Sequence, residues 1–203
     1  MTSPQTPQNP VSAEGLAAAA TKAAKKGPPP VHLWNPPFCG DLDIEIRRDG
    51  TWFYMGTPIG REALVRLFAS ILKLEDGKYF LVTPAEKVGI RVADAPFVAV
   101  DCEAGDCEAG DGALTFTTNV GDRVTADAEH PIRVARAADG EPAPYVMVRQ
   151  GLEALIDRKT FYRLVDIATP GRHDGEDWLG LTSRGVFFPI VPMRELDGTG
   201  PAG

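Results

Sequence analysis

The stretch Asp41-Leu-Asp-Ile-Glu-Ile-Arg-Arg-Asp-Gly-Thr-Trp-Phe-Tyr-Met55 carries the reading of the fold. Polar and apolar residues alternate over 41–48, the period-two signature of a half-buried strand. Asp49-Gly50 is a strong hairpin signal, and 51–55 is rich in strand formers. A two-residue turn at Asp49-Gly50 predicts that Arg47 faces Trp52, Ile46 faces Phe53, Glu45 faces Tyr54 and Ile44 faces Met55. One face then carries Ile44, Ile46, Phe53 and Met55 as core. The other carries Asp43, Glu45, Arg47, Trp52 and Tyr54. Charged groups among two large aromatics suit a ligand platform, with a stacking surface beside hydrogen-bonding groups. They suit better still a solvated face on which Arg47 covers Trp52, since aromatic cross-strand pairs stabilise sheets without any ligand.

Downstream, Thr57 and Pro58 read as the cap and first residue of a helix over 57–73. A turn at Glu75-Asp-Gly77 leads to a strand over 79–83, then to a hairpin of 87–92 and 97–100 around Asp94-Ala-Pro96. The second half repeats this order. Strands are predicted over 114–118, 124–127, 132–136 and 145–148, then a helix over 152–168, a turn at Asp174-Gly175, and strands over 178–182 and 186–190. Arg61-Glu-Ala-Leu-Val-Arg-Leu67 aligns with Arg158-Lys-Thr-Phe-Tyr-Arg-Leu164, which supports duplication. The predicted fold is α+β: two small domains built from a repeated hairpin-helix-strand unit, with mostly antiparallel sheet packed on one main helix each. The predicted division is a disordered or loosely helical tail over 1–30, an N-terminal α+β domain over 31–101, an acidic linker loop over 102–112 and a C-terminal α+β domain over 113–203. Within the tail, alanines favour helix, and the lysines gather at its C-terminal end as the helix dipole prefers. Those basic residues follow the apolar ones, the reverse of a secretion signal.

Of the 203 residues, 43% are hydrophobic and 24% charged, an ordinary globular mix. The 28 Asp and Glu against 21 Lys and Arg leave a net charge of −7, which argues against a nucleic-acid or anionic-membrane footprint. No apolar run approaches the roughly 20 residues that span a bilayer. Cys39, Cys102 and Cys107 are too few for a disulfide framework. The last two sit in the duplicated Asp101-Cys-Glu-Ala-Gly-Asp-Cys-Glu-Ala-Gly110, with no second pair to complete a zinc site. The expectation is a cytoplasmic protein with no metal and no cofactor, its oligomeric state open. Cys39 reads as a small buried thiol, and Asp127, Glu129 and His130 as a turn before Pro131. The serine-nucleophile elbow, the phosphate-binding loop and the His-Glu-x-x-His zinc motif are all missing from the sequence.

Two arginines stand out. At 100° per residue, Leu64, Phe68, Ile71 and Leu72 form a buried helical stripe and Arg61 falls on it; Arg158 takes the same place relative to Phe161 and Val165. A cation in the first turn opposes the helix dipole, so each is expected to have a partner. The structural candidate is an internal carboxylate, with Asp41, Asp43 or Asp49 in reach of Arg61. The functional candidate is an anionic ligand or peptide, which a guanidinium fork suits. Lys87, beside Glu86 on the turn after Thr83-Pro84, is a weaker candidate.

The run Asn35-Pro-Pro-Phe-Cys-Gly-Asp-Leu-Asp-Ile-Glu-Ile-Arg-Arg-Asp-Gly-Thr-Trp52, with Thr57-Pro-Ile-Gly-Arg61, Leu81-Val-Thr-Pro-Ala-Glu-Lys87 and Asp94-Ala-Pro-Phe97, resembles a bacterial family catalogued as domain of unknown function 1285. The resemblance continues more loosely through Val148-Arg-Gln-Gly-Leu-Glu-Ala-Leu155. It implies a two-domain α+β fold built from repeated motifs, with a suggested signalling role, and supplies no catalytic residues. The expected function is a non-enzymatic module that binds a small molecule or a protein partner through Asp43, Glu45, Arg47, Trp52, Tyr54, Arg61, Lys87 and Arg158. One alternative is a small enzyme at the domain junction using Asp41, Asp43 and Lys87. Another is a scaffold subunit in which Trp52 and Tyr54 anchor an interface.

Overall fold

The computed structural model describes residues 12–24, 29–105, 112–136 and 140–197. They fall into two compact units: one runs to Ile46 and resumes over Thr51–Val92, the other comprises Arg47–Gly50 and the chain from Ala93 onward.

The first unit contains α1 (Ala13–Ala24), β1 (Phe38–Ile46), β2 (Trp52–Tyr54), β3 (Thr57–Pro58), α2 (Glu62–Ser70), β4 (Leu72–Glu75), β5 (Lys78–Val82) and β6 (Lys87–Val92). Its six strands lie in the order β3-β2-β1-β6-β5-β4, and only β1 and β6 run parallel. Helix α1 packs on α2 and buries Leu16 and Ala20. Ile44, Ile46, Trp52, Phe68, Ile71 and Leu81 form the core, with the Trp52 and Phe68 rings stacked 6.3 Å apart.

The register of the first hairpin differs from the sequence expectation by one residue. Ile46 pairs with Trp52, Glu45 with Phe53 and Ile44 with Tyr54. Either two-residue mirror-image turn needs φ above zero at its first central residue, but Asp49 is not among the left-handed residues and only Gly50 is, at φ 81°. The turn instead closes from Gly50 N to Arg47 O at 2.9 Å, which lengthens the loop. With a side-chain period of two, one residue of slip turns every β2 side chain over. Trp52 is therefore core, 1% exposed, on the face of Ile44 and Ile46, and the polar face carries Asp43, Glu45 and Phe53.

The first main helix is also shorter than expected. Met55 and Gly56 both adopt left-handed φ and fold the chain into a tight hairpin, so Thr57 pairs with Tyr54 and Pro58 with Phe53. Thr57 thus sits in a strand and caps nothing; Arg61 occupies the cap position and α2 starts at Glu62. Residues 97–100 do not pair with 87–92, because both edges of β6 are already taken by β1 and β5.

The second unit contains β7 (Phe97–Ala104), β8 (Leu114–Thr118), β9 (Arg123–Thr125), β10 (Ile132–Arg136), β11 (Pro142–Arg149), β12 (Leu152–Ile156), α3 (Arg158–Asp166), β13 (Thr169–His173), β14 (Glu176–Ser183), β15 (Val186–Pro192) and α4 (Met193–Asp197). Six strands form one sheet in the order β10-β11-β12-β7-β8-β9, and β13-β14-β15 form a separate one. Residues 152–156, expected as helix, are strand because left-handed Gln150 and Gly151 turn the chain back along β11. The architecture is two-domain α+β, mostly antiparallel. In both units a hairpin precedes the main helix and another follows it, but the strands after α2 stay in the large sheet while those after α3 form their own.

Candidate functional site

The hairpin of β2 and β3 and the turn that follows bring Tyr54 and Arg61 to one place. Together with α1 and α2 they border a cleft of about 510 Å³, within the range of roughly 300–1,000 Å³ typical of small-molecule sites. Its apolar wall is formed by Ala13, Ala17, Ile59, Leu64 and Phe68, and its polar lining by Tyr54, Thr57, Arg61 and Glu14. Register places Tyr54 here: the slip that buries Trp52 also turns Tyr54 onto the helix-covered side of the sheet, where it is half-buried.

Arg61 stands ahead of α2 in extended backbone, φ −92° and ψ 99°, and its side chain is exposed. It is not on the buried stripe, because the helix begins one residue after it. Among the described residues its guanidinium has no ion-pair partner. Asp43, one of the carboxylates expected for it, pairs with Arg91 at 2.7 Å. No side chain caps α2, so its first free N–H groups stand beside the Arg61 guanidinium, with Glu62 in the first turn and Glu14 across the cleft as the opposing charges.

The other residues singled out in the sequence have different surroundings. Lys87 is held by Glu75 at 2.8 Å and lies over the Phe80 ring at 5.1 Å; Glu75 is shared with Lys73 at 2.6 Å. Hydrogen bonds from Lys73 and Lys87 hold the Glu75 carboxyl below its ordinary value of 4.5. Asp43 and Glu45 lie on the opposite face of the sheet from Trp52, and Arg47 is exposed at the hairpin turn. Trp52 is too deeply buried to anchor an interface. Arg158 pairs with Glu141 at 2.8 Å, beside a second cleft of about 380 Å³ that Arg48 and Tyr162 also line. Arg48 in turn pairs with Asp94 at 3.1 Å.

Cys39, expected to be buried, is exposed and donates to Pro37 O at 3.3 Å; it lies in the first part of β1, ahead of the residues that pair with β2. Cys102 is half-buried and burial pushes its thiol up to about 12; Cys107 lies outside the described residues. Asp127 accepts from Glu129 N, His130 N and His130 Nδ1 at 2.8–3.1 Å, a turn closed by its own side chain. Among the described residues no three His, Cys, Asp or Glu side chains gather as metal ligands, and no helix is long and apolar enough to cross a membrane. Glu75, Asp101, Glu103 and Asp127 each lie below their ordinary values, held by donors that favour the charged form.

Two family models match this chain in succession. The N-terminal domain of DUF1285, described as a domain of unknown function, covers residues 29–95, and the C-terminal domain, described as a protein of unknown function, covers 96–190. The chain belongs to the DUF1285 family. Its division between the two models falls within the link that separates β6 from β7. A DUF1285 family protein from Silicibacter pomeroyi DSS-3, solved as a crystal structure, is 60% identical, with a TM-score of 0.81 over 90% of this chain and 98% of that one. A second DUF1285 family structure, from Shewanella baltica OS155, is 30% identical over 62% of this chain and 91% of that one, with a TM-score of 0.49. No curated protein matches this DUF1285 chain.

Proposed function

We propose that this protein is a non-enzymatic binding module whose first unit holds an organic anion, a carboxylate or phosphate on an apolar body. The observation that carries this reading is Arg61: an arginine without an ion partner among the described residues, lining a cleft whose wall is apolar. A guanidinium fork matches a carboxylate or phosphate, Tyr54 adds a hydroxyl, and Phe68 and Leu64 offer surface to an alkyl or aryl body. Glu14 lines the same cleft and disfavours a plain anion, so it limits affinity. In a cell, a module of this kind reports a metabolite to a partner, the signalling role that the family resemblance implies.

Thermal unfolding in the presence of octanoate, octyl phosphate and uncharged octanol tests the reading. A ligand at about 100 times its dissociation constant adds about 2.7 kcal/mol, or several degrees for a chain of this length. The two anions should raise the midpoint and octanol should not. Arg61→Gln should remove the rise, Tyr54→Phe should reduce it, and Glu14→Gln should enlarge it. Equal shifts in the native chain and Arg61→Gln, or no shift with any anion, would overturn the assignment.

A further inference from the structure

The cleft beside Arg61 carries a second charge that its ligand has to answer. Glu14 stands in the first turn of α1, a place the helix dipole favours for a carboxylate, and its side chain is exposed. It lines the same cleft of about 510 Å³ as Arg61. Among the described residues Glu14 has neither an ion-pair partner nor a side-chain hydrogen bond, and it forms no ion pair with Arg61. Glu62, next to Arg61 in the chain, pairs with Arg66 at 3.4 Å. The cleft thus holds one cation and one anion, both accessible and neither matched within the described chain.

A plain anion satisfies Arg61 and is opposed by Glu14; a plain amine meets the reverse. A ligand that carries both signs satisfies both. Ala13, Ala17, Ile59, Leu64 and Phe68 offer the rest of it an apolar wall. We infer that the ligand of this cleft is an amino acid with an apolar side chain. Its carboxylate accepts from the Arg61 guanidinium, its ammonium donates to Glu14, and its side chain lies against Ile59 and Leu64. This ligand class rests on the anion reading of the same cleft and narrows it. It also gives Glu14 a task, which is to weaken the binding of simple carboxylic acids that Arg61 alone would accept.

Calorimetric titration of the full chain with three probes of one carbon skeleton tests this. They are L-norleucine, hexanoate, which lacks the amine, and L-norleucinol, in which a hydroxymethyl group replaces the carboxylate. Norleucine should bind about two- to fivefold more tightly than hexanoate, the worth of one exposed ion pair, and more tightly than norleucinol. Glu14→Gln should erase the preference over hexanoate by weakening norleucine and strengthening hexanoate. Arg61→Gln should weaken both acids and spare norleucinol. Both side chains are exposed, so neither substitution disturbs the packed core. Equal affinity for norleucine and hexanoate in the native chain, or a preference unchanged in Glu14→Gln, would overturn the amino-acid assignment. Hexanoate binding that still depends on Arg61 would then leave the anion reading in place. No binding of norleucine, hexanoate or octanoate would overturn both.

Discussion

At the start of α3, Asp157 accepts from Thr160 N at 2.7 Å and closes the helix with its own side chain. At the corresponding start of α2, Arg61 offers no acceptor and no side chain closes the turn. The contrast extends to the cations. Arg158 leans on Glu141, whereas Arg61 has no carboxylate among the described residues and borders the larger cleft. Aligned sequences, Arg61 to Leu67 and Arg158 to Leu164, thus serve two ends. The α3 start is satisfied internally and holds structure. The α2 start is held by packing and leaves Arg61 without an ion partner among the described residues.

The largest effect expected from this contrast lies in that packing. Phe68→Ala removes the ring stacked on Trp52 and the floor of the cleft, and should cost about 3–5 kcal/mol in urea unfolding. A loss near 1 kcal/mol would mean that α2 is held by something other than its buried face.

A second effect belongs to the other unit. Tyr145, 7% exposed, donates to Asp94 at 2.8 Å, with Arg133 over its ring at 4.2 Å. Burial first, then the Asp94 hydrogen bond, pushes the phenol from 10.0 up to about 12. A raised folded pKa means that the unfolded chain loses its proton first. The stabilisation is complete below about pH 10 and declines as pH rises towards about 12, by at most about 2–3 kcal/mol. Unfolding measured from pH 8 to 12 should show this decline in the native chain and not in Tyr145→Phe.

The capping difference should be interchangeable at about 1 kcal/mol. Asp157→Ala should destabilise by about 0.5–2 kcal/mol. Arg61→Asp, which gives α2 a cap and removes a cation from the positive end of its dipole, should raise the melting temperature of the ligand-free chain. The same substitution should abolish the octanoate response, separating a stability role from a binding role at one position. The smallest effect is expected at Arg158→Ala: an exposed ion pair contributes little, and the change should stay within about 0.5 kcal/mol by chemical denaturation. A larger loss would show that the two arginines are more alike than their surroundings suggest.

Much of the site was legible in part. Tyr54 and Arg61 were both singled out from sequence, but for reasons that did not survive: Tyr54 as a neighbour of Trp52 on a polar face, Arg61 as a cation on a buried helical stripe. What brings them together is the tight turn at Met55 and Gly56, and Met-Gly lacks the Asn-Gly or Asp-Gly signature that announces such turns. The same blind spot hid the Gln150-Gly151 hairpin and turned β12 into a predicted helix. By contrast Asp76-Gly77 and Asp174-Gly175 carry the signature and adopt the expected left-handed pair. A cavity of about 400 Å³ in the second unit had no sequence signal, since its lining comes from six elements that only packing assembles.

The sequence by itself determined the two-domain α+β architecture, most of the strands, the alternation that makes Ile44 and Ile46 core, and the alanine-rich helix α1. These follow from periodicity and propensity, which act over a few neighbouring residues. Tertiary structure decided the register of the first hairpin. Asn119 Nδ2 donates to Gly50 O at 3.1 Å while its Oδ1 accepts from Val98 N at 3.0 Å, and a Cβ at Gly50 would lie 2.5 Å from that Nδ2. A side chain 69 positions away thus braces the longer turn, in which only Gly50 is left-handed. With it comes the placement of Trp52 in the core and Tyr54 in the cleft. No local pattern encodes that contact, because Asn119 and Val98 lie far along the chain from the turn they brace.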